Sequence, residues 1–156
     1  MNWDAAVTGV GVLLRQHYRH LKRYLLVPIL VLLLTASNLV SAASPRINFL
    51  LYCSGCHRPG GEGKPPNVPT LHQELGRMLS VPQMREYLVR IPGATQAPIN
   101  DAELTAVINW VLEEFNADTL PPGFEYLSVE EVTAARKNIL ADPLKYRRRY
   151  WKAYQY

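Results

Sequence analysis

Cys53-Ser54-Gly55-Cys56-His57 is the stretch from which the rest of this chain is read. Two thiols three positions apart, with an imidazole directly after the second, form the attachment signature of a c-type haem. Chemistry fixes the spacing. Each thiol closes a thioether bond to one haem vinyl group, and both must reach the same edge of one macrocycle. The next residue then lies under the iron and offers a neutral imidazole nitrogen as proximal ligand. Cys53 and Cys56 are the only cysteines in 156 residues, so neither is left without a role. The stretch predicts one covalent haem c, held by Cys53 and Cys56 and ligated by His57.

Three other chemistries use the same residue types. A thioredoxin-like redox pair needs a βαβ setting and leaves His57 unexplained. A zinc centre needs a fourth ligand and usually a second cysteine or histidine pair; His72 could supply one ligand, but no such pair exists. A disulfide between Cys53 and Cys56 would close a very short loop and place His57 by chance.

Upstream, Pro45 suits the first turn of a short helix over Arg46–Cys53, with Phe49 and Cys53 four apart on one face. Before it, residues 1–43 read as an export signal. Arg15, Arg19, Lys22 and Arg23 form the basic flank, Tyr24 to Ala36 the apolar run, and the small residues to Ala43 the cleavage region. The rival reading is an uncleaved membrane anchor over residues 24–40. A span needs about 20 apolar residues, and Thr35, Ser37 and Asn38 interrupt this run. Either way the basic flank stays in the cytoplasm and the thiols lie outside it, in the periplasm of a bacterium.

Downstream, Arg58 to Pro69 is rich in Gly and Pro and reads as a loop. Thr70 to Gly76 predicts a helical turn or two, with Thr70 as cap. Ser80 caps a helix with Pro82 in its first turn and Met84, Tyr87, Leu88 and Ile91 as its apolar face, ended by Pro92-Gly93. Asn100-Asp101-Ala102-Glu103 is a capping box opening the strongest helix, with Leu104, Val107, Ile108, Val111, Leu112 and Phe115 at helical spacing. Trp110 lies beside that stripe. A connector follows, then a second capping box at Ser128-Val129-Glu130-Glu131 and a helix to about Leu140. No segment alternates well enough for a sheet, so the fold class expected is all-α.

A helix leading into the Cys-Cys-His stretch, a Gly/Pro loop, a middle helix and a final amphipathic helix together resemble the small class I cytochrome c domain. The resemblance covers roughly residues 44–117; residues 118–156 add a connector, a helix and a tail. It implies a monohaem carrier of single electrons between redox partners such as a dehydrogenase, an oxidase or another carrier, and not an enzyme. It also implies packing between the first and last helices, with Phe49 and Trp110 placed for it. Members usually carry a distal Met before a Pro in the loop preceding the last helix. Here that stretch is Ala94-Thr95-Gln96-Ala97-Pro98-Ile99: the Pro is present and the Met is not. The distal ligand therefore has four candidate answers: Met78 first, then His72, Met84 or no protein ligand. The last would leave an open site for a small-ligand binder or a peroxidase-like enzyme.

Charge is segregated. From Ser44 to Asp142 there are eight basic and twelve acidic residues, whereas Pro143 to Tyr156 holds five basic residues and no acidic one. That tail also carries five aromatic residues. Basic and aromatic together suit an interface, with the acidic surface of the haem domain, an acidic partner or anionic lipid, or within a larger redox complex. Nucleic acid fits the composition but not an exported protein.

Overall fold

The computed structural model describes residues 43–64 and 68–151. Apart from Ala43, the segment expected to be an export signal or anchor lies outside the described residues, as do residues 65–67 and the last five of the tail. Among the described residues there is no strand, only an isolated bridge between Lys64 and Val68, and the chain is all-α as expected. No described helix is long and apolar enough to cross a membrane.

Helix α1 (Pro45–Tyr52) starts where Ser44 accepts the Ile47 amide and Pro45 occupies a position that has no amide to satisfy. After Cys53 the backbone turns once more as α2 (Ser54–His57). A loop leads to α3 (Glu74–Met78), which starts later than expected. Thr70 does not cap it: its hydroxyl accepts the His72 amide and faces the Gly61 carbonyl, and Gln73, at φ 57°, breaks any helix running through it.

Ser80 likewise serves the element before it. Its hydroxyl donates to the Arg77 carbonyl, so it closes α3, while α4 (Pro82–Arg90) opens from an extended Val81 without a side-chain cap. Pro92 ends α4 as expected, because a residue preceding proline is pushed out of the helical region. It then heads its own turn, α5 (Pro92–Thr95).

Helix α6 (Asp101–Asn116) forms with the capping box read from the sequence: Asn100 accepts the Glu103 amide and Glu103 accepts the Asn100 amide. Its buried Leu104, Val107, Ile108, Val111 and Leu112 are the centre of the core. Phe49 of α1, Met78, Met84 and Val132 fill it from the other elements, each fully buried. Burying each such side chain is worth about 2 kcal/mol.

Beyond a 3-10 turn (Ala117–Thr119), α7 (Val129–Arg136) has the second capping box, built by Ser128 and Glu131. It stops at Arg136, short of Leu140, because the next groups are taken by α4: the Leu140 amide donates to the Arg90 carbonyl and Arg90 Nε donates to the Asn138 carbonyl. Of the apolar residues Val129, Val132 and Ile139, which helical spacing would offer to the core, only Val132 is buried; Val129 and Ile139 are exposed. Helix α8 (Pro143–Tyr150) is formed by the tail and lies on α4.

Candidate functional site

The thiols and the imidazole are brought together by one helical turn. Cys53 ends α1, with its amide on the Phe49 carbonyl at 2.9 Å, and its own carbonyl accepts the His57 amide at 3.0 Å. Cys53, Cys56 and His57 thus stand at i, i+3 and i+4, which on a helical turn is one face. Both cysteines are free thiols, Cys53 half-buried and Cys56 exposed. At Gly55, between them, an added Cβ would meet nothing within 4 Å. Burial, and then the neighbouring Cys56, push the Cys53 thiol above its ordinary value.

His57 is half-buried and points its Nδ1 at the Pro69 carbonyl, 3.2 Å away. A carbonyl only accepts, so Nδ1 carries the proton and Nε2 keeps its lone pair, as a metal ligand requires. Burial lowers the His57 pKa, and the Pro69 carbonyl opposes this more weakly. The neutral ring is therefore favoured in the fold.

The Pro69 carbonyl is delivered by a strap whose two described limbs, residues 58–64 and 68–72, are bonded to each other. Gly63 donates to the His57 carbonyl at 3.0 Å, Leu71 to the Gly61 carbonyl at 2.8 Å, and His72 Nε2 to the Gly60 carbonyl at 2.6 Å. Two glycines permit this course. Gly61 sits at φ 83°, and a Cβ there would strike the Phe115 ring; Gly63 sits at φ 69°, and a Cβ would meet the Val68 and Pro69 carbonyls. Behind the strap, Phe49 and Trp110 approach to 5.2 Å between ring centroids, with Phe115 at 5.9 Å and 5.4 Å from them and His72 at 4.8 Å from Phe115. This is the contact between first and last helices that Phe49 and Trp110 were expected to make.

No family model matches the chain, and no curated protein matches it in sequence. The site is read from its own residues. Among those described, no three His, Cys, Asp or Glu side chains cluster as a metal site made of protein ligands alone. Two free thiols on the face of one free imidazole nitrogen suit an iron that brings its own equatorial ligands. On that observation the residues present fit a covalent haem.

The four distal candidates fall in different places. Met78, at the end of α3, and Met84, in α4, are both in the hydrophobic core. His72 belongs to the strap on the His57 side of the sequence and has its Nε2 occupied by Gly60. The loop that lacks the Met carries a buried Ala97 and is tied down by Arg136 of α7. Arg136 donates from Nε to the Thr95 carbonyl at 2.9 Å, from Nη2 to the Ala97 carbonyl at 2.5 Å, and from Nη1 to the Ile99 carbonyl at 2.8 Å and the Asp101 carboxylate at 2.9 Å. An Arg near a helix end gives no sequence signal of three carbonyls waiting for it.

The tail was legible only as basic and aromatic. Tyr146 stacks on Tyr87 at 6.0 Å and donates to Glu86 at 2.9 Å. Arg147, 2% exposed, pairs with Glu74 at 2.9 Å, and Trp151 Nε1 reaches the same carboxylate. This is the packing across the chain's own acidic surface that was among the expected uses.

Proposed function

We propose that this protein is an exported monohaem c-type cytochrome that carries single electrons between redox partners. The observation that carries the reading is the one-face arrangement of Cys53, Cys56 and His57, with His57 Nδ1 bound to the Pro69 carbonyl and Nε2 left for iron. When bound, haem supplies a one-electron couple between ferrous and ferric iron. Cys53 and Cys56 would hold its edge, and His57 its proximal side. The Phe49, Trp110 and Phe115 rings pack α1, which leads into these groups, against α6.

Docking of a redox partner is supported on the outer side of α1. Ile47, Leu51 and Tyr52 are exposed there beside the thiols, with Arg46 and Arg58 exposed at either end of the segment. Of the tail, Tyr146, Arg147 and Trp151 are turned to this chain's own α3 and α4, and the exposed Lys145, Arg148 and Arg149 are what α8 offers to an acidic partner or anionic lipid.

The test is a reduced-minus-oxidised spectrum of protein matured with the haem-attachment machinery present. A c-type spectrum, with haem that stays on the chain through denaturing electrophoresis and is lost or weakened in Cys53→Ala and Cys56→Ala, is expected. A mature chain without haem would refute the reading.

The buried Ala97 in a loop fixed by Arg136 favours a second reading, a haem protein with an open distal position that binds small ligands or acts on peroxide. Fast carbon monoxide or cyanide binding with a high-spin spectrum would select it. A near-infrared Met–iron band would instead select the carrier with Met78 or Met84 as ligand.

A further inference from the structure

His72 is held where it stands from both sides. Asn116 Nδ2 donates to the Leu71 carbonyl at 2.9 Å, the Gln73 amide donates to the Phe115 carbonyl at 3.0 Å, and Thr119 donates to the Gln73 carbonyl at 2.8 Å. Its ring lies against Phe115, and its Nε2 donates to Gly60. To become an iron ligand it would have to leave all of these.

The strap it closes is strained at both ends. Arg58, directly after His57, sits at φ 62°, and Gln73, directly after His72, at φ 57°. Neither is glycine, and such residues persist only where the surroundings over-determine them. Between them the two limbs run side by side. Leu71 and Thr70 bond to the Gly61 carbonyl, His72 to that of Gly60, and Pro69, on the same limb, faces His57.

We propose that His72 is a positioning residue for the iron site: its Nε2–H, bonded to the Gly60 carbonyl, latches the strap that holds the Pro69 carbonyl on His57 Nδ1. The inference rests on the haem reading for its redox consequence and on geometry alone for the latch. A carbonyl held on Nδ1–H makes the imidazole a stronger electron donor and favours ferric iron. Releasing the latch loosens that bond, and the potential rises.

The experiment compares full-length wild type, His72→Ala and His72→Gln, the last keeping an N–H donor. Exchange of the His57 Nδ1 proton is followed by NMR in the ferrous state, alongside the midpoint potential and the axial-ligand signature in the near infrared. The Ala variant is expected to exchange about tenfold faster and to raise the potential, up to about a tenfold change in the ferrous-to-ferric ratio, which is 59 mV for one electron. The Gln variant should restore most of both, with the axial signature unchanged throughout. Equal exchange in all three proteins overturns the latch, and so does a changed axial signature, which would make His72 a ligand. If wild type matures without haem, the haem reading fails separately. The Nδ1 exchange measured on that chain still decides the latch, because the bond it reports belongs to the protein.

Discussion

Asn116 shows how much one side chain can organise around a site without touching it. It is buried at the end of α6, accepts the Gly76 amide, and donates to the Leu71 and Val111 carbonyls. One amide thus fixes the start of α3, the exit of the strap and the end of α6. Asn116→Leu keeps the volume and orphans the buried Gly76 amide. Because each unsatisfied buried polar group costs about 1–3 kcal/mol, the expected loss is roughly 3 kcal/mol, read as a lower urea midpoint at unchanged slope. The sequence announced Cys53, Cys56 and His57 because their chemistry demands a spacing that little else demands. Asn116 was invisible because an amide's partners are set by folding across 40 and 45 residues, not by its neighbours.

Elements were legible where local rules act alone. Both capping boxes are made as read, and the apolar stripe of α6 is the stripe that is buried. Asn100→Ala should therefore cost about 1 kcal/mol, measured as a shift in thermal midpoint. Reading failed where one group has two suitors. Ser80 could close α3 or open α4, and its hydroxyl chose the Arg77 carbonyl. Helix α7 was read too long because nothing local says that Arg90, 48 residues away, takes the Asn138 carbonyl. Arg136 is the same case with a larger consequence. Its planar fork meets carbonyls at 95, 97 and 99 together with Asp101, an arrangement that the ammonium of lysine cannot reproduce. Arg136→Lys is expected to lower stability by about 2 kcal/mol. It should also speed proteolytic cutting between residues 95 and 99, and uniform cutting rates in both proteins would argue against the clamp.

The whole molecule joins the half that carries Cys53, Cys56 and His57 to a C-terminal half through side chains that titrate at opposite ends of the pH scale. The described residues belong to one compact unit, and the segment beyond Ala117 is bound to α4 and to the loop before α6. Helix α7 is tied by carboxylates. The Thr133 hydroxyl and then Arg136 hold Asp101 below the usual carboxylate range, and Arg85 does the same for Glu131 at 2.7 Å. Helix α8 is tied in part by a phenol: burial, then Glu86, push Tyr146 up to about 12. The signs follow by linkage. A carboxylate depressed in the fold contributes stability that is complete above its unfolded value, about 4, and is lost as pH falls through the folded value. A phenol raised in the fold contributes stability that is complete below its unfolded value, about 10, and is lost as pH rises through the folded value near 12. Acid should therefore loosen α7, and alkali should loosen α8 before α7. Hydrogen exchange read amide by amide on the protein checks this. Below pH 4, protection should fall in 129–136; above pH 10 it should fall in 143–150 while 129–136 stays closed. Tyr146→Phe should remove the alkaline phase and leave the acid phase in place, since it deletes the titrating group but keeps the ring on Tyr87. Simultaneous loss of both helices above pH 10 would mean that the C-terminal half opens as one body.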